Sequence, residues 1–392
     1  MKLAHIADPH LGIRQYHRQT PAGINQREAD VANAFRAAID GVIATRPDAV
    51  VVAGDLFHSV RPTNYAIVFA FRQFQRLRDA LPDAPIVLIA GNHDTPRTVE
   101  IGSILRLFEE LGIDVATDEP RRLVYPELDL SIFAIPRQAI LSAEPPLLQP
   151  EGPQKYQVLL AHFEVEGEYP TGHVATEYSG AVVSSREMHL RDWTYVALGH
   201  YHTQHEVAKN AWYAGALEYI GPNIWGERID EIEHGDHGKG WLLTDLDSGK
   251  IKRQRVPPTR EVYDLKPIDA EGESAASIDA TIAERIAAIP GGIRDQIVRL
   301  RVYEIPRHIV RELNHAAIRG FKAEALHFHL DLRRPEIHRT LGVGSPGRRQ
   351  TLSELVASYL SGRPLPAELD REAFVRLGHE LMESVERDLV GS

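Results

Sequence analysis

Five short apolar runs in this chain each stop at a residue that can bind a cation, and that recurrence limits the fold more than any other feature. They read His-Ile-Ala-Asp8-Pro-His10, Val-Ala-Gly-Asp55, Ile-Ala-Gly-Asn92-His93-Asp94, Leu-Leu-Ala-His162 and Ala-Leu-Gly-His200-Tyr-His202. Short continuous apolar runs bounded by turn formers suit strands buried on both faces. In open α/β sheets, functional groups collect outside the carboxyl ends of the strands. Laying such strands side by side therefore brings their terminal side chains into one crevice. Gly54, Gly91 and Gly199 immediately precede three of the candidates, where glycine permits a sharp turn and close backbone approach. Pro9 is expected to push Asp8 toward an extended conformation.

The surrounding pattern agrees with an α/β layered fold. Strands are expected over Leu3–Ala7, Ala49–Ala53, Ile86–Ala90, Ser131–Ile135, Val158–Ala161 and Tyr195–Leu198. Val31, Phe35, Ile39, Val42 and Ile43 form one helical stripe, and Ile101, Ile104, Leu105, Phe108 and Leu111 form another. Trp241–Leu246, the Ser248-Gly249 turn and Ile251–Val256 read as a closing hairpin. Pro257-Pro258 then breaks the chain, and the pattern restarts as helix (Ile278–Ile289), strand (Gln296–Tyr303), helix (Arg307–Arg319) and strand (Ala325–Leu330). The expected organisation is a first domain over 1–257, a compact second domain over 258–335, an Arg-, Gly- and Pro-rich linker over 336–350, and a helical tail over 351–392. In that tail Thr351 can cap a helix bearing Leu352, Leu355, Val356 and Tyr359, followed by one bearing Phe374, Leu377, Leu381 and Val385.

The chemistry follows from the donor set, which is carboxylate, imidazole and carboxamide. There are no cysteines, so disulfides, thiolate nucleophiles and thiolate–metal sites are excluded. Oxygen and nitrogen donors suit manganese, iron or zinc rather than copper(I) or an iron–sulfur cluster. A carboxylate has two oxygens and can bridge two ions, and Asp55 is the natural bridge. Two such ions clamp the attacking and leaving oxygens of a displacement at phosphorus, with no side-chain nucleophile. The net charge of −11 is unevenly spread. Residues 1–249 hold 21 Lys and Arg against 34 Asp and Glu, whereas residues 250–350 hold 19 against 13. The acidic excess coincides with the candidate metal residues, and the basic excess follows it. No apolar run approaches a membrane span. The start, Met1 to Asp8, has no secretory-signal pattern, so a cytoplasmic location is expected.

The ordered set resembles the calcineurin-like metallophosphoesterase superfamily. Within it, the set is similar to the bacterial SbcD-type exonucleases and their archaeal and eukaryotic break-repair relatives. The residues that carry the resemblance are Asp8-Pro9-His10-Leu11-Gly12, Gly54-Asp55-Leu56-Phe57-His58, Gly91-Asn92-His93-Asp94, His162-Phe163-Glu164-Val165-Glu166-Gly167 and Gly199-His200-Tyr201-His202. It implies two stacked mixed β-sheets flanked by helices, a small α/β DNA-capping domain and a C-terminal helical tail. It implies two divalent ions, with manganese the expected metal, one held by Asp8, His10, Asp55 and His202. The other would be held by Asp55, Asn92, His162 and His200. By the same resemblance His93 is a general acid or phosphate contact, and His58 positions a DNA phosphate.

The implied activity is DNA cleavage from ends, 3′ to 5′ on duplex, with nicking of single strands or hairpins. The implied partners are DNA, an ABC-type coiled-coil ATPase of the SbcC type docked on the tail, and a second copy of the chain, whose contact the Ile101–Leu111 stripe could supply. Where family members often have Gly-Ser after the last metal motif, this chain has Gly215-Ala216. Two alternatives stand beside this reading. One is a phosphatase or nucleotide phosphodiesterase of the same superfamily; here Asp55 lacks the Asp-Arg pair that usually follows in the protein phosphatases. The other is a non-catalytic DNA-end tether, for which an intact set of ligand-competent side chains is unnecessary.

Overall fold

A computed structural model describes residues 1–96, 102–168, 181–335, 359–360, 370 and 372–378. In chain order the strands and helices begin with β1 (Lys2–Ile6), α1 (Gln26–Thr45), β2 (Ala49–Val52), α2 (Asn64–Ala80) and β3 (Ile86–Ile89). There follow β4 (Asp114–Ala116), β5 (Arg121–Tyr125), β6 (Leu130–Ile135), α3 (Arg137–Ile140), β7 (Tyr156–His162), β8 (Glu164–Val165) and β9 (Val182–Val183). Next come β10 (Tyr195–Gly199), β11 (His205–Ala208), β12 (Ala211–Tyr213), α4 (Ile224–Glu233), β13 (Gly240–Asp245) and β14 (Lys250–Arg255). The last are β15 (Val262–Asp269), α5 (Ala275–Ala287), β16 (Ile297–Tyr303), α6 (Arg307–Glu312), α7 (His315–Glu324) and β17 (His327–Leu332).

Two six-stranded sheets result, ordered β14-β13-β1-β2-β3-β4 and β11-β12-β10-β7-β6-β5. Both are mixed. β1, β2, β3 and β4 run parallel, β13 is antiparallel to β1, and β14 is antiparallel to β13. In the second sheet β12, β10, β7 and β6 run parallel, with antiparallel β11 and β5 at the edges.

Strand alternation decides which layer each side chain joins. Leu3, Ala49, Val51, Ala53, Val87 and Ile89 meet Leu130, Ile132, Val158, Leu160 and Ala197 between the two sheets. His5 lies on that inner face too, its Nδ1 3.0 Å from the Tyr195 hydroxyl across the gap. The alternate residues Ala4, Ile6, Val50, Val52 and Leu88 face α1 and α2. On the far side of the second sheet, Leu159, Ala161, Val196 and Leu198 pack on Phe163, Met188 and Trp193. With both faces covered, the strands read as unbroken apolar runs.

α1 forms because Val31, Phe35, Ala38, Ile39 and Val42 line one face, and Asn25 accepts the Arg27 and Glu28 N–H groups at its start. The elements not among those expected from the sequence include α2, α4 and β15, with α3 and the short strands β4, β5, β8, β9, β11 and β12. α2 has its own legible stripe of Ala66, Phe69, Ala70, Phe74 and Leu77 under a Thr63 cap. β15 completes a three-stranded parallel sheet, β15-β16-β17, covered by α5 and α7 around Ile278, Ile282, Leu300, Val302 and Phe328. The helix expected over Arg307–Arg319 is two helices. Asn314 leaves α6 and caps α7 through the Ala317 N–H, while its own N–H goes to Asp279.

Residues Met1–Arg334 form one compact unit and Pro335–Ser392 a second. In the second unit residues 372–378 are helical, with Leu377 55% exposed. Thr351, Leu352, Leu355, Val356, Leu381 and Val385 lie outside the described residues. No helix among the described residues is long and apolar enough to cross a membrane.

Of the Ile101–Leu111 stripe, a possible dimer contact by its sequence, Leu105 and Phe108 enter the core, while Ile104 and Leu111 pack against it only partly buried. Its described part, Ile104–Leu111, is a 3-10 helix capped by Ser103, and Ile101 lies outside the described residues. Leu105 and Phe108 are fully buried, Phe108 lying 4.8 Å from the Phe74 ring and 6.3 Å from the Phe57 ring. Leu105 and Phe108 are committed to these contacts, whereas Ile104, Leu107 and Leu111 keep part of their surface exposed. Phe108→Ala is expected to cost about 3–5 kcal/mol in denaturant unfolding and to leave the molecular mass by light scattering unchanged. A change of mass with unchanged stability would instead place Phe108 in an interface.

Candidate metal centre

The five parallel strands that end in candidate ligands deliver their terminal residues to one crevice. β1, β2 and β3 are neighbours in the first sheet, and β7 and β10 are neighbours in the second. Beyond β1 and β2 the two loops continue side by side. The N–H groups of Asp8, His10 and Leu11 donate to the carbonyls of Gly54, Asp55 and Leu56 at 3.2, 2.9 and 2.9 Å. Asp8, His10, Asp55 and His200 have φ of +49°, +47°, +51° and +111°. Non-glycine residues seldom adopt such values, and their clustering marks a site held against local preference. Asp8 therefore departs from the extended conformation expected from Pro9. Its backbone bond to Gly54 and its carboxylate, which accepts the His200 N–H on both oxygens at 3.1 Å, hold it there.

The three glycines act by absence of a side chain. A Cβ on Gly91 would overlap the Asp55 carboxylate, and one on Gly54, at φ +85°, would enter the His162 ring. On Gly199 it would strike the Ala53 carbonyl of the opposite sheet. Only glycine lets the two sheets approach closely at this end.

All nine candidate residues converge. Ligand atoms of Asp8, His10 and His202 lie within 4.8 Å of one another, as do those of Asp8, Asp55 and His162, and those of His10, His58 and His93. Asp55 Oδ2 stands between the clusters, 3.5 Å from His10 Nε2 and 3.4 Å from His162 Nε2. Asn92 Oδ1 is 2.9 Å from His162 Nε2 and 3.2 Å from His200 Nδ1. His93 donates its backbone N–H to Asp55 Oδ1 at 2.8 Å, and its Nδ1 donates to the His58 carbonyl at 2.7 Å. The His58 ring stacks on His93 at 5.0 Å, and its Nδ1 is 3.1 Å from His10 Nδ1. Asp8, His10, Asp55, His162 and His200 are buried, whereas His58, Asn92, His93 and His202 stay partly exposed and line the mouth.

Two further residues belong to the site and have no role legible from sequence. Asp94 accepts the N–H groups of Leu56, Phe57 and Gly91 at 3.0, 2.9 and 3.3 Å, tying the Asp55 loop to the Asn92 loop. Its place in Gly-Asn-His-Asp is the only signal. Glu164, fully buried, sets Oε1 3.4 Å from His200 Nε2, which turns Nδ1 of that ring toward Asn92. It lies two residues past His162 in extended chain, and that spacing is the available clue.

Electrostatics favour cations here. Burial raises the Asp8 carboxyl to about 8, with the His162 charge opposing and the Asp55 charge adding. Burial also acts on Asp55, but the charge and hydrogen bond of His162 and the charge of His10 outweigh it and hold it well below the usual carboxylate range. His162 is likewise desolvated, yet Asp55 and then Asp8 raise it to about 9. Burial holds His10 and His202 well below the ordinary imidazole value, so both present lone pairs. His10 Nε2 is buried without a hydrogen-bond partner. His162 Nδ1 donates to the Ala53 carbonyl at 2.8 Å, which directs Nε2 at Asp55 and Asn92, as outer partners do for metal-binding histidines. These residues fit a pair of divalent cations. They have hard oxygen and imidazole donors, an Asp55 carboxylate beside imidazoles of two clusters, and an orphaned nitrogen facing the centre.

A two-layered α/β fold with this donor set between its sheets defines a metal-dependent phosphoesterase. A family model described as calcineurin-like phosphoesterase matches residues 1–204, and the chain belongs to that family. Among its relatives, the DNA double-strand break repair protein Mre11 of Sulfurisphaera tokodaii is 31% identical over 64% of this chain and 60% of its own length. The proteins of that name from Methanocaldococcus jannaschii and Saccharolobus solfataricus are 25% identical over 69% of this chain and 28% identical over 63%. The aligned region spans 67% and 60% of those two relatives.

Cation binding must displace the protons that burial and pairing hold on Asp8 and His162. With folded values of about 8 and about 9, both groups are mostly protonated at pH 7 without metal. Manganese binding at pH 7 is therefore expected to release protons, fewer as pH rises past 9, and affinity should strengthen over the same range. Calorimetry in buffers of different ionisation enthalpy measures this. No net release at pH 7 would show that Asp8 and His162 are already unprotonated in the metal-free protein.

Proposed function

We propose that the chain is a DNA phosphodiesterase that uses two divalent ions, manganese in the first instance, and acts in double-strand-break repair. The observation that carries the reading is the Asp55 carboxylate standing between two clusters of buried imidazole and carboxylate donors. One ion is assigned to Asp8, His10, Asp55 and His202, the other to Asp55, Asn92, His162 and His200. When bound, the ions supply Lewis-acid stabilisation for an in-line displacement at phosphorus. The protein's own contribution is orientation. Glu164 and the Ala53 carbonyl set the two imidazoles of the second group, and Asp94 keeps the Asp55 and Asn92 loops in register.

His93 is assigned the proton delivered to the leaving oxygen. It sits at the mouth with its ring 4.6 Å from that of His10. The His58 carbonyl accepts from Nδ1, so Nε2 is the atom assigned to the proton transfer. His58, stacked behind it, is assigned to orienting His93 and the scissile phosphate.

The substrate assignment rests on the names of the relatives and on charge. Residues 250–350, which include the three-stranded sheet, hold 19 Lys and Arg against 13 Asp and Glu, suited to a phosphate backbone. On this reading residues 1–257 are the nuclease, 258–335 a DNA cap and 351–392 the segment that docks an ABC-type ATPase. Exonuclease action 3′ to 5′ on duplex, with cutting of single strands or hairpins, follows from the same resemblance.

Metal analysis after manganese loading should approach two ions per chain, and Asp55→Ala should lose both; one ion per chain, kept in that variant, would overturn the ligand assignment. His93→Ala should retain both ions yet cut labelled duplex and hairpin DNA ~10²–10⁴-fold more slowly. Loss of metal from the His93 variant would make it a ligand instead.

A further inference from the structure

Behind His202 lies a buried ion pair that no motif announces. Lys239, just before β13, is 5% exposed and Glu227 on α4 is 1% exposed. Lys239 Nζ pairs with Glu227 Oε1 and donates to the His202 carbonyl at 2.8 Å. The same carbonyl accepts the Ala216 N–H at 3.0 Å. Glu227 Oε2 accepts from Gly221 and Ile220 at 2.9 and 3.3 Å. Lys239 Nζ also lies 4.7 Å from the centre of the Tyr219 ring. The loop that bears His202 is thus gripped from below by one charged donor and one backbone donor.

A buried ion pair adds little net stability over apolar groups of the same volume, so fold stability alone is a poor reason for placing one here. What an apolar pair cannot do is donate to the His202 carbonyl. α4 is in turn anchored on its other side. Trp225, two residues before Glu227 and so nearly opposite on the helix, is buried among Val262, Ile297 and Leu326 of the three-stranded sheet region. The Arg299 guanidinium lies 4.9 Å from the centre of its ring. The pair therefore stands on a rigid mount.

We propose that Lys239 and Glu227 are positioning residues that hold the His202 loop in the geometry needed to bind the ion assigned to Asp8, His10, Asp55 and His202. This rests on the two-ion reading. The Gly215-Ala216 departure from the Gly-Ser turn leaves the grip intact, because Ala216 contributes only its backbone N–H. Removing the grip loosens one of the two ions and spares the one assigned to Asn92, His162 and His200.

The test uses the full chain with the double variant Lys239→Met/Glu227→Gln, which removes the pair without stranding a buried charge. Lys239→Leu/Glu227→Gln, which likewise strands no charge and removes the donor to the His202 carbonyl, serves as the second variant should the first not fold. Two readouts are taken. Hydrogen exchange at the His200 and Ala216 amides of metal-free protein reports the loop itself. Manganese titration followed by electron paramagnetic resonance counts the ions and detects their spin coupling. The expected result is a cooperatively melting protein with faster exchange at both amides, one ion bound as in the parent, and the other weakened roughly 10–100-fold with loss of the coupled signal. Unchanged exchange together with two ions bound at parental affinity overturns the proposal. If the parent itself binds a single ion, the two-ion reading falls, whereas the exchange measurement still decides whether the pair holds the loop.

Discussion

Two carboxylates, Asp8 and Asp55, are buried at the ends of adjacent parallel strands, and the rest of the structure answers to them. An unpaired buried charge costs several kcal/mol even after relaxation. The protein meets this with donors that cannot wander. The His200 N–H bonds both oxygens of Asp8, and the His93 N–H bonds Asp55. Imidazoles surround the pair, and those of His10, His200 and His202 have depressed basicity and lone pairs available. Without cations, protons on Asp8 and His162 complete the charge; once they leave, two carboxylates and several imidazole lone pairs face one crevice, and this is why it reads as a metal centre.

The layering supplies the rigidity that such an arrangement needs. Each sheet offers apolar side chains on both faces, so strand ends are set by packing on two sides. Backbone strain at Asp8, His10, Asp55 and His200 persists because the loops after β1 and β2 bond to one another and the His200 N–H reaches Asp8 from the other sheet. Gly54, Gly91 and Gly199 remove the Cβ atoms that would keep those loops apart.

The same economy of loops ties the centre to the three-stranded sheet. The segment after His10 reaches that sheet through Tyr16, stacked on His327 at 4.1 Å, and through Arg18, which bonds the Ala323 and Ala325 carbonyls and pairs with Asp295. Arg260 spans from Asp30 at the start of α1 to the Asp295 carbonyl. α4 adds Trp225 on one side and Glu227 on the other. A load on the three-stranded sheet is therefore placed within a few covalent and hydrogen-bonded steps of both His10 and His202.

Much of this is legible in the residues themselves. The apolar runs, their length and the donors at their ends identify β1, β2, β3, β7 and β10 and eight of the nine candidates that the crevice unites, because strand period and strand-end placement are local rules; His58 comes only with the family resemblance. α2 carries an equally local signal in its stripe at Phe69, Phe74 and Leu77, whereas the Ile104–Leu111 stripe is ambiguous because an apolar face looks the same toward a core or a partner. What only the tertiary structure decided were contacts between segments far apart in the chain. Glu164 on His200, Asp94 on the Asp55 loop and Lys239 on the His202 carbonyl are ordinary acids and a lysine in sequence. The left-handed backbone at Asp8 was likewise decided by bonds to Gly54 and His200, which overrode the local preference set by Pro9. A sequence records which side chains can bind a cation; which carbonyls and N–H groups hold them still depends on how distant strands are brought together.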